Sequence, residues 1–379
     1  MTLRESDSGL ASIAAAFDLP GRICGLEPLG NGNVNDSFLV VCEGPPLRRF
    51  VLQKLNRKVF VRPELVMANM IAIGEHVDGR LTQGCALLAE RRWELPRVLH
   101  CREQGLPWVE REGGFWRMIT FIETSRSFDV VAGADQAREV GFGLGLFHHL
   151  ISDLSPDRLA DTLEGFHVTP RYLEHYDAAL AETPVVAGSD VQYCRAFIEE
   201  RRGFASVLEA ARASGHLRLR PIHGDPKVNN VMMDVASGQA VALVDLDTVK
   251  PGLIHYDIGD CLRSCCNPLG EETRDLQAVH FDLDLCREVL GGYLAAASGF
   301  LTDADYEHLY AAIRLISFEL GLRFFTDHLA GNVYFRTEHP DHNLQRAQVQ
   351  FRLTESIEAQ EHQIHAVINE LRSAVAGRC

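Results

Sequence analysis

The side chains best suited to chemistry lie in one short stretch, residues 223–230, which reads His-Gly-Asp-Pro-Lys-Val-Asn-Asn. Transfer of a phosphoryl group to a hydroxyl needs a carboxylate that orients the hydroxyl and takes its proton, together with oxygen ligands that hold Mg²⁺ against the phosphates. Asp225 supplies the carboxylate, and Asn230 follows it at a spacing that phosphoryl-transfer loops use. Lys227 adds a point charge that can neutralise the group in transfer. We therefore predict Asp225 and Lys227 as catalytic residues.

A second carboxylate follows an apolar run in the same region. Residues 241–244, Val-Ala-Leu-Val, predict a buried strand, and Asp245 comes directly after it. Mg²⁺ takes hard oxygen ligands and usually only one or two protein carboxylates. We predict that Asn230 and Asp245 hold this ion, with Asp247 as a helper behind them. A plain turn is the alternative, because Asp, Asn and Pro are common turn residues, but the complete set of loop, strand and carboxylate favours phosphoryl transfer.

A strand, a glycine-rich turn and a second strand are predicted near the start of the chain. Residues 30–36 read Gly-Asn-Gly-Asn-Val-Asn-Asp between the apolar runs 23–29 and 37–41. Glycines let the backbone approach phosphate closely and expose its N–H groups, which favours Gly30 and Gly32 as nucleotide-binding residues. Taken by itself, the Asn-Gly pair is better explained by an ordinary hairpin. Its place ahead of the catalytic loop, by the length of a small lobe, makes the phosphate-binding interpretation equally good.

The third predicted strand, residues 49–55, lies where kinases carry a lysine that pairs with phosphate. Gln53 occupies that position, and Lys54, one step later, would face the other side of a regular strand. We assign Gln53 to the nucleotide side. Kinases pair this lysine with a glutamate, and Glu64, in the first turn of the next predicted helix, is the candidate for that glutamate. A glutamate at the start of a helix also complements the helix dipole.

Composition describes an ordinary globular chain that is long enough for two lobes. The 379 residues are 46% hydrophobic and 23% charged. A net charge of −15 argues against a nucleic-acid partner, which would require a basic surface. We find no apolar run of membrane-spanning length and no basic, signal-like start, and therefore expect a cytoplasmic protein without a membrane partner. The cysteines form no C-x-x-C pair, so Cys261, Cys265 and Cys266 are expected to be buried free thiols.

Three further patterns concern the helical part of the chain. Glycines at 141, 143 and 145 predict a helix that packs closely against a neighbour. Asp257 and Asp260 are expected to accept backbone N–H bonds that hold the catalytic loop, with helix capping as the alternative. Residues 345–371 are polar and amphipathic, and we predict one long closing helix.

The motifs together resemble the aminoglycoside phosphotransferase superfamily. Within it, the chain looks most like the N-acetylhexosamine 1-kinases, which use ATP to phosphorylate the anomeric hydroxyl of N-acetylglucosamine or N-acetylgalactosamine. The resemblance spans most of the chain and is more specific for phosphoryl transfer than for the sugar. It is carried by His223-Gly-Asp225 with Asn230, by Val244-Asp245 and the residues up to Asp260, by residues 30–36, and by Glu319-Leu-Gly-Leu-Arg-Phe-Phe-Thr-Asp327.

This resemblance implies a fold, a pair of cofactors and a class of acceptor. The fold is α+β, a bilobal protein-kinase-like architecture with a small antiparallel-sheet N-lobe at residues 1–122 and a larger, mainly helical C-lobe at residues 123–379. ATP and Mg²⁺ are the implied cofactors, and backbone groups at the hinge, near Thr120 and Ile122, would contact adenine. The acceptor would be a small molecule, an amino sugar, and the chain would act as a monomer or homodimer.

The resemblance also implies acceptor contacts at Asn33, Asp36, Arg323 and Tyr334. Several members of the resembling family have histidine where Asn33 stands, which leaves the exact sugar open. Glu319 and Asp327 lie four residues on either side of Arg323, so a surface ion pair on a helix is the competing interpretation. For Tyr334 the competing interpretation is a packed aromatic ring.

Two other functions remain open at this point. The first is a kinase for an aminoglycoside, choline or an amino alcohol, whose pocket would carry carboxylates that face the amines. The second is a nucleotide-binding regulator without catalysis. The departure at Gln53 favours the regulator, whereas the intact Asp225, Asn230 and Asp245 oppose it.

Overall fold

The computed structural model describes residues 5–30, 34–88, 91–182 and 188–377. The strands are β1 (Ile23–Pro28), β2 (Asp36–Cys42), β3 (Arg48–Leu55), β4 (Val98–Leu99), β5 (Val109–Arg111), β6 (Gly114–Thr120), β7 (Ser125–Arg126), β8 (Arg220–Ile222), β9 (Val231–Asp234), β10 (Ala240–Leu243) and β11 (Lys250–Gly252). The helices are α1 (Glu5–Ala14), α2 (Pro63–Gln83), α3 (Ala134–Ile151), α4 (Thr169–Glu182), α5 (Ser189–Arg201), α6 (Val207–Ala213), α7 (Ile254–Cys265), α8 (Leu283–Ala297), α9 (Asp303–Glu307), α10 (Leu309–Leu329), α11 (His342–Ala359) and α12 (Glu361–Ala376).

An antiparallel sheet forms the N-lobe, with strand order β1-β2-β3-β6-β4 and β5 beside β6. Side chains alternate across it because successive residues of a strand point to opposite faces. Leu52 and Met118 pack on the α1 side, whereas Val51 and Ile119 pack on the α2 side. Both faces are covered, which buries most of β6 and fixes the strand register.

The C-lobe is built mainly from packed helices, and its closest contact joins α3 to α8. Gly141 permits this approach, since a Cβ atom there would lie 1.9 Å from the carbonyl oxygen of Val289. The prediction of close packing through the glycines of α3 is confirmed. Two small sheets, β10-β9-β7 and β11-β8, frame the loop that carries the predicted catalytic residues.

The single closing helix predicted for residues 345–371 is wrong. The structure has two helices, α11 and α12, which meet at Gln360. Tertiary contacts explain the break, because Gln360 Nε2 donates to the carbonyl oxygen of Phe281 at 2.8 Å and so ties this point to a neighbouring segment. Periodicity within the sequence carries no signal for such a contact.

The expected fold class is confirmed, with an antiparallel-sheet N-lobe followed by a helical C-terminal region. Cys261, Cys265 and Cys266 are buried free thiols, as predicted. In the part of the chain that the structure describes, no helix is long and apolar enough to cross a membrane. A cavity of about 180 Å³ lies between the two lobes, and Val34 and Phe60 face Asp225 and Arg323 across it.

Candidate active site

The loop after β8 is shaped by the imidazole of His223. The ring is buried, and its Nε2 lies 3.0 Å from the carbonyl oxygen of Val244, while Nδ1 accepts the backbone N–H of Asp225 at 3.3 Å. Burial lowers the pKa of His223, which favours the neutral ring that these two contacts require. His223 therefore holds Asp225 next to the end of β10.

Asp257, at the start of α7, also holds this loop in place. Its carboxylate accepts the backbone N–H of His223 at 2.6 Å and that of Gly224 at 2.8 Å, as predicted. His148 Nε2 lies 2.8 Å from the same carboxylate. Asp260 does not share this role, because its carboxylate pairs with Arg263 Nε at 2.8 Å.

Gly224 is required where the loop turns. Its φ is +91°, and a Cβ atom would lie 2.6 Å from the carbonyl oxygen of Thr248. An L-residue at this position would therefore be strained and would also collide with backbone. The turn directs the next side chain, Asp225, into the cavity.

The three predicted residues of the loop meet in the structure. Lys227 Nζ lies 2.8 Å from Asp225 Oδ2, and Asn230 Nδ2 donates to the backbone oxygen of Asp225 at 2.7 Å. Burial acts to raise the pKa of Asp225, but the charge and hydrogen bond of Lys227, together with the charges of His223 and Arg263, bring that pKa below its usual range. Asp225 is consequently an anion near neutral pH, suited to orient a hydroxyl.

Asp245 follows β10 in a left-handed conformation, with φ 62° and ψ 54°. The backbone N–H of Val244 donates to the carbonyl oxygen of Asn230 at 2.9 Å, which brings the two predicted metal ligands side by side. Withdrawal from bulk water and the negative charges of Asp247 and Asp225 together raise the pKa of Asp245 to about 7, against the opposing charges of Lys227 and Arg117. Asp245 is nevertheless exposed at the protein surface.

These residues fit Mg²⁺. Asp245 has no hydrogen bond or ion pair with any described residue, and the carboxylates of Asp247 and Asp225 lie near enough to raise its pKa. The NH₂ group of Asn230 donates to Asp225, which leaves Oδ1 of Asn230 available to bind the metal ion. The described residues contain no cage of three or more His, Cys, Asp or Glu side chains. One carboxylate and one amide oxygen make a half-site, which is what Mg²⁺ uses when phosphates complete its coordination.

Gln53 lies on the side of β3 that faces the cleft, but it is already engaged. Its Oε1 accepts two bonds from Arg117 of β6, at 2.9 and 2.7 Å, and its Nε2 donates to Ser37 Oγ at 2.9 Å. Lys54 faces the opposite side, over the ring of Trp116, as the strand geometry predicted. Glu64, the candidate ionic partner, is exposed and has no ion pair with any described residue, which favours its alternative role at the helix dipole.

Arg117 is the residue that the sequence interpretation missed. Its guanidinium is buried, and Nη1 lies 2.5 Å from Asp247 Oδ1 across the cleft. The angles fall outside those of a hydrogen bond, so this is a contact between charges. The signal was present, because an arginine inside the apolar strand Phe115–Phe121 demands a buried partner.

The other predicted nucleotide residues lie at the lobe junction and in the glycine-rich turn. The backbone N–H of Thr120 donates to the carbonyl oxygen of Arg97. The backbone N–H of Ile122 has no partner among the described residues and remains available to a nucleotide base. Gly30 has φ +66° at the start of the turn. Gly32 and Asn33 lie outside the described residues.

The predicted acceptor residues are only partly brought together. Arg323 and Tyr334 line the interlobe cavity with Asp225. Asp36, paired in register with Lys54 at the start of β2, is exposed and does not line this cavity. Tyr334 is 54% exposed, so the alternative of a fully packed aromatic ring is excluded.

The surface ion pair considered for Arg323 is also excluded. Glu319 accepts from Thr169 Oγ1 at 2.7 Å and lies 2.8 Å from His167 Nδ1. Asp327 instead accepts the backbone N–H groups of residues 333–335. Arg323 has no ion pair or hydrogen bond with any described residue, and its guanidinium lies 5.1–6.0 Å from the centres of four aromatic rings, those of Phe166, Tyr172, Tyr334 and Phe335.

Comparison with known proteins agrees with this geometry. The family model described as the phosphotransferase enzyme family matches residues 25–293. The microcompartment-associated aminopropanol kinase is similar in structure, with a TM-score of 0.57 and 15% identity over 95% of this chain and 98% of that one. The ethanolamine kinase of Plasmodium vivax has a TM-score of 0.53 and 10% identity, over 86% of this chain and 82% of its own.

A third similar structure is a spectinomycin phosphotransferase in complex with ADP and spectinomycin, with a TM-score of 0.55 and 9% identity over 95% of this chain and 99% of that one. Identities this low show a common fold and no more. The family match covers well over half of the chain and includes the loop at 223–230 and Asp245. The chain belongs to the phosphotransferase enzyme family.

Proposed function

We propose that the protein is an ATP- and Mg²⁺-dependent kinase that phosphorylates the anomeric hydroxyl of an N-acetylhexosamine, N-acetylglucosamine or N-acetylgalactosamine, to give the sugar 1-phosphate. The family supports transfer of phosphate to a small molecule. The N-acetylhexosamine acceptor is the one that the sequence resemblance implies, and the structural observation that supports it is the unpaired guanidinium of Arg323, which lines the cavity together with Asp225.

In the proposed reaction the acceptor oxygen attacks the γ-phosphorus of ATP. The bond between that phosphorus and the ADP oxygen breaks, and the hydroxyl proton passes to Asp225. Lys227 contributes positive charge near the group in transfer. Asn230 and Asp245 would hold Mg²⁺, which supplies charge neutralisation at the phosphate oxygens when bound.

The charges of the cavity favour a neutral acceptor over an amine. Each carboxylate that lines it already has a cationic partner: Asp225 has Lys227, Asp260 and Glu271 share Arg263, and Glu319 has His167. Burial acts to lower the pKa of His167, but Glu319 outweighs it and raises that pKa, which favours a charged pair.

The unpaired charges of this cavity are positive. Arg323 lies in its wall, and Arg336 at the rim has no ion pair among the described residues. An ammonium group would therefore meet repulsion without compensation. A carbonyl oxygen, such as that of an acetamide, can accept from the rigid fork of a guanidinium. These contacts separate the proposal from an ethanolamine, aminopropanol or aminoglycoside acceptor.

We also propose the limits of the two lobes and the adenine contact. The N-lobe would end at residue 122 and the C-lobe begin at 123, with the hinge between β6 and β7. The N–H of Ile122 would donate to the adenine ring. The ADP bound to the similar spectinomycin phosphotransferase supports a purine nucleotide in this cleft.

A matched set of acceptors tests the proposal. ATP consumption should be measured with N-acetylglucosamine, N-acetylgalactosamine, glucosamine, glucose and ethanolamine. We expect turnover with an N-acetylated sugar and little with glucosamine, which differs from N-acetylglucosamine only by the acetyl group and the resulting positive charge. The methyl glycoside of N-acetylglucosamine, whose anomeric oxygen is blocked, should not react.

Preference for ethanolamine or glucosamine would contradict the proposed acceptor and favour an amine kinase. Reaction of the methyl glycoside would contradict the proposed position of transfer. Absence of ATP turnover with every acceptor, together with intact nucleotide binding, would favour the non-catalytic regulator.

A further inference from the structure

Arg117 of β6 lies next to the β3 position at which kinases carry a lysine that pairs with phosphate. β3 and β6 pair so that Gln53 lies opposite Arg117. Two bonds from Nε and Nη2 to Gln53 Oε1 orient the guanidinium, and Ser37 in turn orients the Gln53 amide. Position 53 of β3 carries no cation, and the adjacent strand supplies one in Arg117, which the Gln53 side chain supports.

The side chain that faces Arg117 from α2 carries no charge. Met70 Sδ lies 2.9 Å from Nη1, where kinases use a glutamate to pair with their lysine. A thioether is a weak acceptor and leaves the positive charge uncompensated. The nearest opposite charge is Asp247, which belongs to the C-lobe and whose side chain, like that of Arg117, is at least 98% buried.

Asp247 links Arg117 to two parts of the site, the glycine-rich turn and Asp245. Its Oδ2 accepts from Asn35 Nδ2 at 2.7 Å, and Asn35 Oδ1 accepts the backbone N–H of Asn56 at 3.0 Å. Asn35 ends the glycine-rich turn. Asp245 lies two residues before Asp247, in a left-handed conformation that is unfavourable for a non-glycine residue. Anchoring Asp247 therefore restrains Asp245.

We propose that Arg117, supported by Gln53, is a positioning residue that replaces the lysine–glutamate pair of kinases: through Asp247 it holds Asp245 in the geometry that binds Mg²⁺ and fixes the end of the glycine-rich turn. This inference rests on the proposed use of Mg²⁺ and ATP and is independent of the acceptor. Arg117 acts on the metal through a neighbouring carboxylate and does not itself contact phosphate.

Binding measurements on Arg117→Met test this role without turnover. The affinity for ADP is measured by calorimetry in EDTA, and the affinity for Mg²⁺ is then measured at saturating ADP. Loss of a residue that orients a metal ligand typically weakens metal binding by about 10–100-fold. We expect a weakening of that size for Mg²⁺, whereas metal-free ADP should bind within about twofold of the wild type.

A second buried ion pair provides the control. Arg220 and Asp305 lie 2.8 Å apart with similarly buried side chains, and neither lines the cavity. Arg220→Met should lower thermal stability, as Arg117→Met does, but leave the Mg²⁺ affinity at saturating ADP unchanged. Gln53→Leu keeps the charge of Arg117 and loses only its support, so it should weaken Mg²⁺ binding in the same direction and keeps the inference testable if Arg117→Met does not fold.

Three results would overturn the inference. If Arg117→Met and Gln53→Leu bind Mg²⁺ as the wild type does, Arg117 has only a structural role, and the proposed function stands. If both variants weaken the binding of metal-free ADP as much as they weaken the binding of Mg²⁺, Arg117 contacts phosphate directly and does not act through Asp247. If the wild type binds ADP neither with nor without Mg²⁺, the proposed function fails together with the inference.

Discussion

The ammonium group of Lys227 lies 2.8 Å from the carboxylate of Asp225, inside the cavity that separates the two lobes. This contact keeps Asp225 ionised, since the charge of Lys227 lowers the pKa of Asp225 despite burial. A carboxylate with a low pKa is a weak base, so in the proposed reaction Asp225 would orient the hydroxyl first and take the proton late in the transfer.

Substitution of the predicted base gives the first prediction. Asp225→Asn should retain the fold and bind Mg·ATP, but turnover should fall by roughly two to four powers of ten because the proton acceptor is lost. Steady-state kinetics with the best acceptor, beside calorimetric binding of ATP, measures both properties. Turnover within a few-fold of wild type would remove Asp225 from the mechanism.

If Asp245 holds Mg²⁺ as proposed, its carboxylate should make the affinity for Mg²⁺ depend on pH. Its pKa is raised to about 7, so in the metal-free protein a proton competes with Mg²⁺ below that pH. We expect the apparent affinity for Mg²⁺ to be constant above pH 8 and to weaken by up to about tenfold per pH unit below pH 7. The measurement is a Mg²⁺ titration at saturating ADP between pH 5.5 and 8.5.

The raised pKa of Asp245 should also make stability fall as the pH rises, whereas an ordinary ion-paired carboxylate makes stability rise with pH. Because its folded pKa lies above the usual value of 3.8, the metal-free folded protein takes up the proton preferentially, and this contribution to stability is lost as the pH rises through about 7. Mg²⁺ should restore it. Asp245→Asn should abolish both the pH dependence and the effect of Mg²⁺, and a wild type whose Mg²⁺ affinity does not change with pH would contradict the assignment.

Asp257 should matter for the loop rather than for the chemistry. Asp257→Asn removes the charge that accepts the backbone N–H groups of His223 and Gly224. Hydrogen bonds to a charged group contribute about 1.5–3 kcal/mol, so the free energy of unfolding should fall by about that amount. Urea denaturation measures it. Asp234→Asn, which also loses backbone N–H bonds but in a surface turn, is the matched control.

The two outcomes for Asp257→Asn are distinct. Turnover should fall with the loop geometry, whereas the KM for the acceptor should change little because Asp257 does not line the cavity. Equal stability losses in Asp257→Asn and Asp234→Asn would show that the loop does not depend on this carboxylate.

The catalytic loop could be predicted from the sequence because its parts are neighbours in the chain. His223, Asp225, Lys227 and Asn230 lie within eight residues, and local turn geometry brings them together. Asp245 follows from the same reasoning, since β9 and β10 are adjacent antiparallel strands that place their ends side by side. Here spacing along the chain translates directly into distance in space.

Arg117 could not be predicted in this way. Its partners Gln53, Met70 and Asp247 are 64, 47 and 130 residues away in the chain, and only the register of β3 and β6 reveals the contact. The helix around Arg323 shows the converse problem. Spacing placed Glu319 and Asp327 near Arg323, but both carboxylates turn to other partners.

The central claim is that Arg323 selects a neutral, N-acetylated acceptor. Its guanidinium lacks a partner among the described residues and lies in the cavity wall with Asp225. Arg323→Leu removes the charge and the hydrogen-bond donors while keeping apolar contact with the surrounding rings. A hydrogen bond to a charged group contributes about 1.5–3 kcal/mol, or about 10- to 150-fold in affinity.

The most direct measurement is therefore the ratio of kcat/KM for N-acetylglucosamine to that for glucosamine, in the wild type and in Arg323→Leu, with N-acetylgalactosamine and galactosamine as a parallel pair. We predict a high ratio in the wild type that falls by about 10- to 150-fold in the variant, with the KM for ATP unchanged. A wild-type ratio below one, or an equal ratio in the two proteins, would contradict the account.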